Sequence, residues 1–168
     1  MLFDVYKNKS VLVTGNTGFK GSWLTIWLRS LGAHVTGFSK DLPSVPNNFE
    51  ICGLKKTSDT HFCDVRDLER LKQVMEESQP DYIFHLAAQS LVKLSYEATV
   101  DTFSTNAMGS VNLLEAARSL NKSVSIIMIT SDKAYDNVEW KWGYRETDKL
   151  GGKDPYSASK GMAELAIR

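Results

Sequence analysis

Cysteine is nearly absent from the chain: Cys52 and Cys63 are the only two among 168 residues. Two thiols are too few for a disulfide framework, and with three histidines and no Cys/His cluster there is no set of ligands for a structural zinc. Both are therefore read as reduced thiols of a cytoplasmic protein. An excess of charge of one sign is missing too. Twenty Lys and Arg balance twenty Asp and Glu, which gives no electrostatic reason to expect nucleic acid or an anionic membrane as partner. No apolar run approaches membrane-spanning length. Residues 1–10 mix Asp4, Lys7 and Lys9 with isolated apolar residues, so the continuous apolar core of a signal peptide is lacking as well. What remains, 42% hydrophobic and 24% charged residues, is the composition of a soluble globular protein long enough for one ordinary domain. The expected partner is a small molecule.

Short apolar runs alternate with segments of helical period, the order of a parallel sheet covered by helices on both faces. Strands are expected at Ser10–Thr14 and at residues 33–38, 60–63, 82–86 and 124–130, the last a continuous apolar run suited to a sheet centre. Between residues 19 and 31, Trp23, Leu24, Trp27, Leu28 and Leu31 recur at helical spacing. Leu68, Leu71, Val74 and Met75 mark a second helix. Residues 96–121 read as one long helix, with Val111, Leu114, Ala117 and Leu120 as its later stripe. The Pro- and Asn-bearing stretch 39–58 reads as a long connection, and 132–154 as a polar, aromatic, glycine-bearing loop. Pro155 opens a last helix, which carries no stop signal before Arg168 and gives the chain a truncated look.

The first strand runs into Gly15-Asn16-Thr17-Gly18-Phe19-Lys20-Gly21. Gly15 permits a tight turn, Gly18 lets backbone N–H groups approach a pyrophosphate, and Gly21 lets helix and strand pack closely, with the helix N-terminus adding partial positive charge. Glycine-rich turns also arise for structural reasons alone, but the position between an apolar strand and a helix favours dinucleotide binding. The second strand ends Phe38-Ser39-Lys40-Asp41. Asp41 is near the distance at which an acid would hold the adenosine ribose, Lys40 could equally meet a 2′-phosphate, and both could be solvated loop charges, so NAD and NADP stay open.

Tyr156-Ser-Ala-Ser-Lys160 sets a phenol and an ammonium four residues apart, on one face at a helix start. A nearby cation favours the phenolate, so such a pair can exchange a proton with a sugar hydroxyl. On its own the spacing is commonplace on helix surfaces. Joined to the upstream glycine turn, it resembles the extended short-chain dehydrogenase/reductase family. That resemblance implies a Rossmann-type doubly wound sheet, truncated here before the substrate-binding domain, as either a separate fragment or part of a longer sequence.

Further stretches carry the likeness on. Cys63-Asp64-Val65-Arg66-Asp67 resembles the family's adenine-recognition segment, with Asp64 and Val65 as the expected contacts. His85-Leu86-Ala87-Ala88-Gln89 resembles the loop lining the cofactor, His85 itself being read as structural. Asn106 matches the helix asparagine near the site. Thr130-Ser131-Asp132-Lys133-Ala-Tyr-Asp-Asn137, the tryptophans of Glu139-Trp140-Lys-Trp142-Gly-Tyr-Arg-Glu146, and Gly151-Gly-Lys-Asp-Pro-Tyr156 are similar to the nucleotide-sugar 4,6-dehydratases within that family, and specifically to those acting on CDP-glucose.

The resemblance implies a retained nicotinamide cofactor, NAD with NADP not excluded. Hydride leaves C4 of the hexose, water is lost across C5 and C6, and hydride returns to C6. Tyr156 would be the base at the C4 hydroxyl, Lys160 its tuner and the holder of the nicotinamide ribose, Ser131 the hydrogen-bond partner of the C4 oxygen, and Asp132 the acid at the C6 hydroxyl. Related dehydratases carry a glutamate as C5 base where this chain has Lys133, which would serve either as a desolvated base or as a charged stabiliser of the enolate. The resemblance also implies a homodimer through a four-helix bundle of residues 96–121 and the Tyr156 helix.

Overall fold

The computed structural model describes residues 2–168. Their contacts divide into two compact units, one of Met1–Ala87 with Asn112–Ile129 and the other of Ala88–Val111 with Thr130–Arg168.

In chain order the elements are β1 (Ser10–Thr14), α1 (Phe19–Ser30), β2 (His34–Ser39), α2 (Asn48–Ile51), α3 (Leu54–Thr57), β3 (Asp59–Phe62), α4 (Leu68–Ser78), β4 (Tyr82–His85), α5 (Val92–Glu97), α6 (Thr99–Phe103), α7 (Gly109–Arg118), β5 (Ser125–Met128) and α8 (Pro155–Ile167). A π-helical turn, Ser104–Met108, joins α6 to α7. A 3-10 turn, Asp132–Ala134, follows β5.

The first unit holds an all-parallel sheet in the order β3-β2-β1-β4-β5. Side chains alternate along β1, and this builds the layers. Leu12 faces one way and joins Phe38 and Ile83 under Leu71, Val74 and Met75 of α4 and Leu113, Ala116 and Ala117 of α7. Val11 and Val13 face the other way and join Val35, Leu28 and Leu24 of α1. The order of strands reverses between β1 and β4. The carboxyl ends of those two strands are thus a topological switch point, where open α/β sheets bind ligands.

The stripes read from sequence hold for α4 and fail in part for α1 and α7. On α1 the buried face is Gly21, Ser22, Thr25 and Leu28, while Trp23 and Trp27 stand 52% and 57% exposed. The reason is the close approach of helix to turn: a Cβ on Gly21 would collide with the Gly15 carbonyl, so the first turns of the helix face the sheet with the small residues Gly21, Ser22 and Thr25, and a large side chain, Leu28, is buried only further along. On α7, Val111 is exposed and Leu113, Ala116 and Ala117 are buried. The expected long helix begins earlier, at Val92, breaks at Ala98 and passes through the π turn. The expected connection 39–58 contains two one-turn helices, the first capped by Asn47, whose side chain accepts from the Glu50 N–H at 2.9 Å.

In the second unit α8 packs on α5, α6, the π turn and the 3-10 turn. Asp154 caps it, accepting from the Ser157 N–H at 2.9 Å, and Pro155 takes the first position.

Candidate functional site

The first unit presents a cradle at the carboxyl end of β1. Gly15 adopts φ 71°, and a Cβ there would sit 2.8 Å from the Ala87 nitrogen and 2.9 Å from the Leu86 carbonyl carbon. The turn therefore lies directly against the Leu86-Ala87 backbone that leaves β4. The Gly18 N–H donates to the Gly15 carbonyl at 3.1 Å, and Gly18 is the N-cap of α1 with no side chain of its own to cover the first-turn donors. A twelve-residue helix thus opens with N–H groups that no side chain caps, beside a turn whose glycines allow close backbone approach, which fits a pyrophosphate.

Asn16 and Ser39, both expected at the cofactor, are turned to a different task. Asn16 is fully buried. Its amide donates to Thr60 Oγ1 at 2.9 Å and accepts from Ser39 Oγ at 2.7 Å. Ser39 Oγ in turn accepts from the Thr17 N–H at 3.2 Å, and Thr17 Oγ1 donates to the Asp41 carbonyl at 2.6 Å. The network ties the turn to β2 and β3, so any approach of Asn16 to a ligand is through its backbone. Phe19 stands exposed at the start of α1.

Beyond β3, Asp64 receives Arg66 Nε on both oxygens at 3.0 Å and the Arg66 backbone N–H at 3.0 Å. Lys40 Nζ lies 3.7 Å from the same carboxylate. Burial alone would raise the Asp64 pKa, but the hydrogen bonds and charge of Arg66, with the charge of Lys40, outweigh it and hold the carboxyl below its ordinary value. Val65 is buried, and its carbonyl accepts from Asn112 Nδ2 at 3.1 Å. His85 is 3% exposed with Nδ1 2.7 Å from Thr14 Oγ1, a strand-to-strand link that matches a structural role.

The second unit carries the residues expected from the sequence to do acid–base chemistry. Ser131 caps the 3-10 turn, accepting from the Lys133 N–H at 3.2 Å and donating to Asp132 Oδ1 at 3.1 Å. Asp132 and Lys133 are exposed, while Ala134 behind them is fully buried. The Ala134 carbonyl accepts from the Gly151 N–H at 2.8 Å. A Cβ on Gly161 of α8 would lie 3.3 Å from that same carbonyl, and one on Gly152 would collide with Ser157. These glycines clamp the turn bearing Ser131 and Asp132 onto the helix bearing Tyr156 and Lys160. Sequence reading missed Gly152, Gly161 and Ala134. Their only signal is the run of small residues around the Tyr-Lys pair.

Lys160 is 6% exposed. Burial pushes its ammonium below the ordinary lysine value, and Glu164 one turn later offsets this in part. Asn106, 1% exposed in the π turn, exchanges hydrogen bonds with the Gln89 backbone at 2.9 and 3.0 Å and donates to Ser159 Oγ at 2.9 Å. Ser159 Oγ then donates to the Tyr156 carbonyl at 2.7 Å. Asn106 therefore holds the Ala88-Gln89 segment and α8 together rather than pointing an amide outward. π turns gather where function needs such an inserted residue. Downstream, the loop after Thr130-Ser131 closes with a bridge from Tyr135 to Leu150. Inside it Tyr135 stacks on Tyr144 at 5.3 Å, and Trp140 leans on both Tyr144 and Trp142. Among the described residues no group of His, Cys, Asp or Glu could hold a metal ion.

Residues 12–168 match the family described as GDP-mannose 4,6 dehydratase. The CDP-glucose 4,6-dehydratase of Salmonella typhimurium is 52% identical over 162 residues, covering 96% of this chain and 45% of that protein. A GDP-mannose 4,6-dehydratase of Vibrio cholerae is 30% identical over 160 residues, 90% of this chain and 43% of that one. Among solved structures, UDP-glucose 4-epimerase from Brucella ovis in complex with NAD superposes with a TM-score of 0.79 at 26% identity, covering 95% of this chain and 46% of that one. The Thermus thermophilus UDP-glucose 4-epimerase complex with NAD gives 0.77 at 30% identity, covering 94% and 49%. The chain spans about half the length of the curated relatives it matches.

Proposed function

The chain belongs to the GDP-mannose 4,6 dehydratase family, and on that premise we propose that the protein is a nucleotide-sugar 4,6-dehydratase converting CDP-glucose to its 4-keto-6-deoxy product. The observation that carries this is the clamped pair in the second unit. Ser131 and Asp132 ride on a 3-10 turn whose Ala134 carbonyl is fixed by Gly151, against the helix of Tyr156 and Lys160. A dehydratase needs a base for the C4 hydroxyl and a separate acid for the departing C6 hydroxyl, and one small assembly supplies both. The choice of CDP-glucose is supported by the 52% identity to the Salmonella enzyme.

A nicotinamide dinucleotide, NAD in this reading, fits the cradle of Gly15, Gly18 and Gly21 with Leu86 and Ala87, and the Asp64-Val65 turn for its adenine. When bound, it would supply a hydride acceptor for C4 and a hydride donor for C6. Tyr156 takes the C4 hydroxyl proton. Lys160, its ammonium depressed by burial, follows Tyr156 by one turn of the same helix and holds the nicotinamide ribose. Ser131 hydrogen-bonds the C4 oxygen, and Asp132 delivers a proton to the C6 hydroxyl as it leaves. The proton lost from C5 passes to solvent water, and Lys133 stabilises the enolate left behind, a role supported by its acidic neighbours: it adjoins Asp132 in sequence, and its charge contributes to lowering the Asp154 pKa after the Ser157 hydrogen bonds overcome burial. Lys133→Met should then retain more C5 exchange from heavy water than Lys133→Glu.

The test is incubation of the protein, expressed from its complete reading frame, with CDP-glucose and NAD+. A 4-keto-6-deoxy product, lost in Tyr156→Phe with substrate binding kept, is expected. Epimerised nucleotide sugar without loss of the C6 hydroxyl would overturn the assignment, since an epimerase has no use for Asp132 as acid.

A further inference from the structure

Three charged side chains meet where β2 and β3 end, and their arrangement bears on which cofactor enters. The Cys63 N–H donates to the Ser39 carbonyl at 2.8 Å, prolonging the register in which Ser39 faces Phe62. Residues 40 and 63 therefore leave the sheet opposite one another, with Asp64 the next residue along. Asp64 is fixed before Lys40 reaches it. The Arg66 guanidinium holds the carboxylate with Nε at 3.0 Å from both oxygens and Nη2 at 2.7 Å from Oδ2. The turn beneath is pinned by the Asp67 N–H on the Asp64 carbonyl at 2.9 Å and by Asn112 Nδ2 on the carbonyls of Val65 and Arg66 at 3.1 and 3.0 Å. Lys40, with 62% of its side chain exposed, comes in from solvent to lie 3.7 Å from Oδ2, whereas Asp64 is 24% exposed.

Ser39, the last residue of β2, cannot serve an adenosine ribose. Its hydroxyl donates to Asn16 and accepts from the Thr17 N–H, and it is 3% exposed. What faces that region is then Lys40 and Arg66 against Asp64, with the exposed Asp41 adding a second negative charge. Two cations at this place read in isolation as a 2′-phosphate site. Here both are engaged by one carboxylate. A phosphate monoester carries nearly two negative charges near neutral pH. To enter, it must pull Lys40 and Arg66 away from Asp64 and then lie beside an uncompensated carboxylate. A ribose hydroxyl carries no charge and leaves both pairs intact.

We propose that Asp64 is a specificity-determining residue: by drawing Lys40 and Arg66 onto one carboxylate it withholds both cations from a 2′-phosphate and makes the protein select NAD over NADP. This rests on the nicotinamide-dinucleotide reading above and adds to it the residue that makes the choice. It also assigns Lys40 a task that its sequence position alone leaves open, since the lysine is a latent phosphate ligand silenced by its neighbour.

The experiment is calorimetric titration of the cofactor-free protein, expressed from its complete reading frame, with NAD+ and with NADP+. Wild type is expected to bind NAD+ roughly tenfold or more tightly than NADP+. Asp64→Asn should narrow that ratio by roughly fivefold or more through tighter NADP+ binding, and adding Lys40→Ala should remove the gain. Comparing the two cofactors as a ratio cancels any contact of Asp64 with the adenine that both share. Lys40→Glu, made on an exposed side chain that the fold does not require, gives an independent arm and should widen the preference for NAD+. An unchanged ratio in both Asp64→Asn and Lys40→Glu, or a wild type that prefers NADP+, overturns the proposal. Binding of neither dinucleotide by wild type would instead reject the nicotinamide reading beneath it.

Discussion

At the scale of single residues the glycine turn and the placement of Tyr156 and Lys160 on one helix were legible, because each is a local spacing with a local physical reason. What Asn16 and Asn106 do was not, since their partners (Ser39 and Thr60 for one, Gln89 and Ser159 for the other) lie 17 to 53 residues away. Asn16 also explains Gly37. The three atoms nearest to a Cβ built there all belong to the Asn16 amide, so Gly37→Ala is expected to destabilise by about 1–3 kcal/mol, as overpacking does. In an Asn16→Ala background that loss should largely vanish, a coupling of about 1 kcal/mol or more in a urea-unfolding double-mutant cycle; simple additivity would refute the contact. Lys160 gives a pH prediction. Its folded pKa is depressed, mainly by burial. The unfolded chain therefore binds the extra proton between the two values, and stability climbs as pH rises through that window to the ordinary lysine value of about 10.4. At neutral pH the buried ammonium weakens the fold. Lys160→Met should accordingly raise Tm by about 2–4 °C near neutrality, with the advantage shrinking as pH approaches about 10. A Tm difference that stays constant with pH would mean that Lys160 is not depressed.

At the scale of elements, strands proved easier to read than helices. Each expected strand falls within two residues of an observed one; the apolar run at 124–130, expected to suit a sheet centre, instead forms β5 at the end of the strand order. The helical reading of 96–121 erred because an apolar stripe records which residues can be buried, whereas the break at Ala98 and the π insertion at 104–108 depend on packing against α8. The one-turn helices at 48–51 and 54–57 are too short to show a period, though Asn47 and Glu50 have the spacing of a capping box. On α1 the stripe misled for a nameable reason: aromatics at 23 and 27 match the helical period but face outward, because the face that meets the sheet is Gly21, Ser22, Thr25 and Leu28, small where the helix lies closest to the turn. Helices of the second unit also leave apolar side chains open, with Val100 80%, Met108 52%, Met162 48% and Leu165 63% exposed. These support the proposed homodimer through paired helices. Met162→Glu with Leu165→Glu should convert a dimer to a monomer in sedimentation of the complete protein, and a wild type that sediments as a monomer would remove the proposal.

At the scale of the whole molecule, the chain matches its family from residue 12 to residue 168 and spans about half the length of the relatives it resembles. No helix among the described residues is long and apolar enough to cross a membrane. The cofactor cradle lies in the first unit and the acid–base residues in the second, so each unit holds one share of the proposed chemistry. Fold class and the cofactor type were legible from motifs. Recognition of the nucleotide sugar was not, since no stretch of these residues was read as contacting the substrate's own nucleobase. The central claim is that the cofactor is retained through an internal redox cycle in which hydride lost from C4 returns to C6. The direct measurement is conversion of CDP-glucose bearing deuterium at C4, with the product analysed by mass and NMR. Deuterium recovered at C6 of the 4-keto-6-deoxy sugar, without exchange into added NAD+, is the predicted result. Deuterium that remains at C4, or that is released to free cofactor, would contradict it.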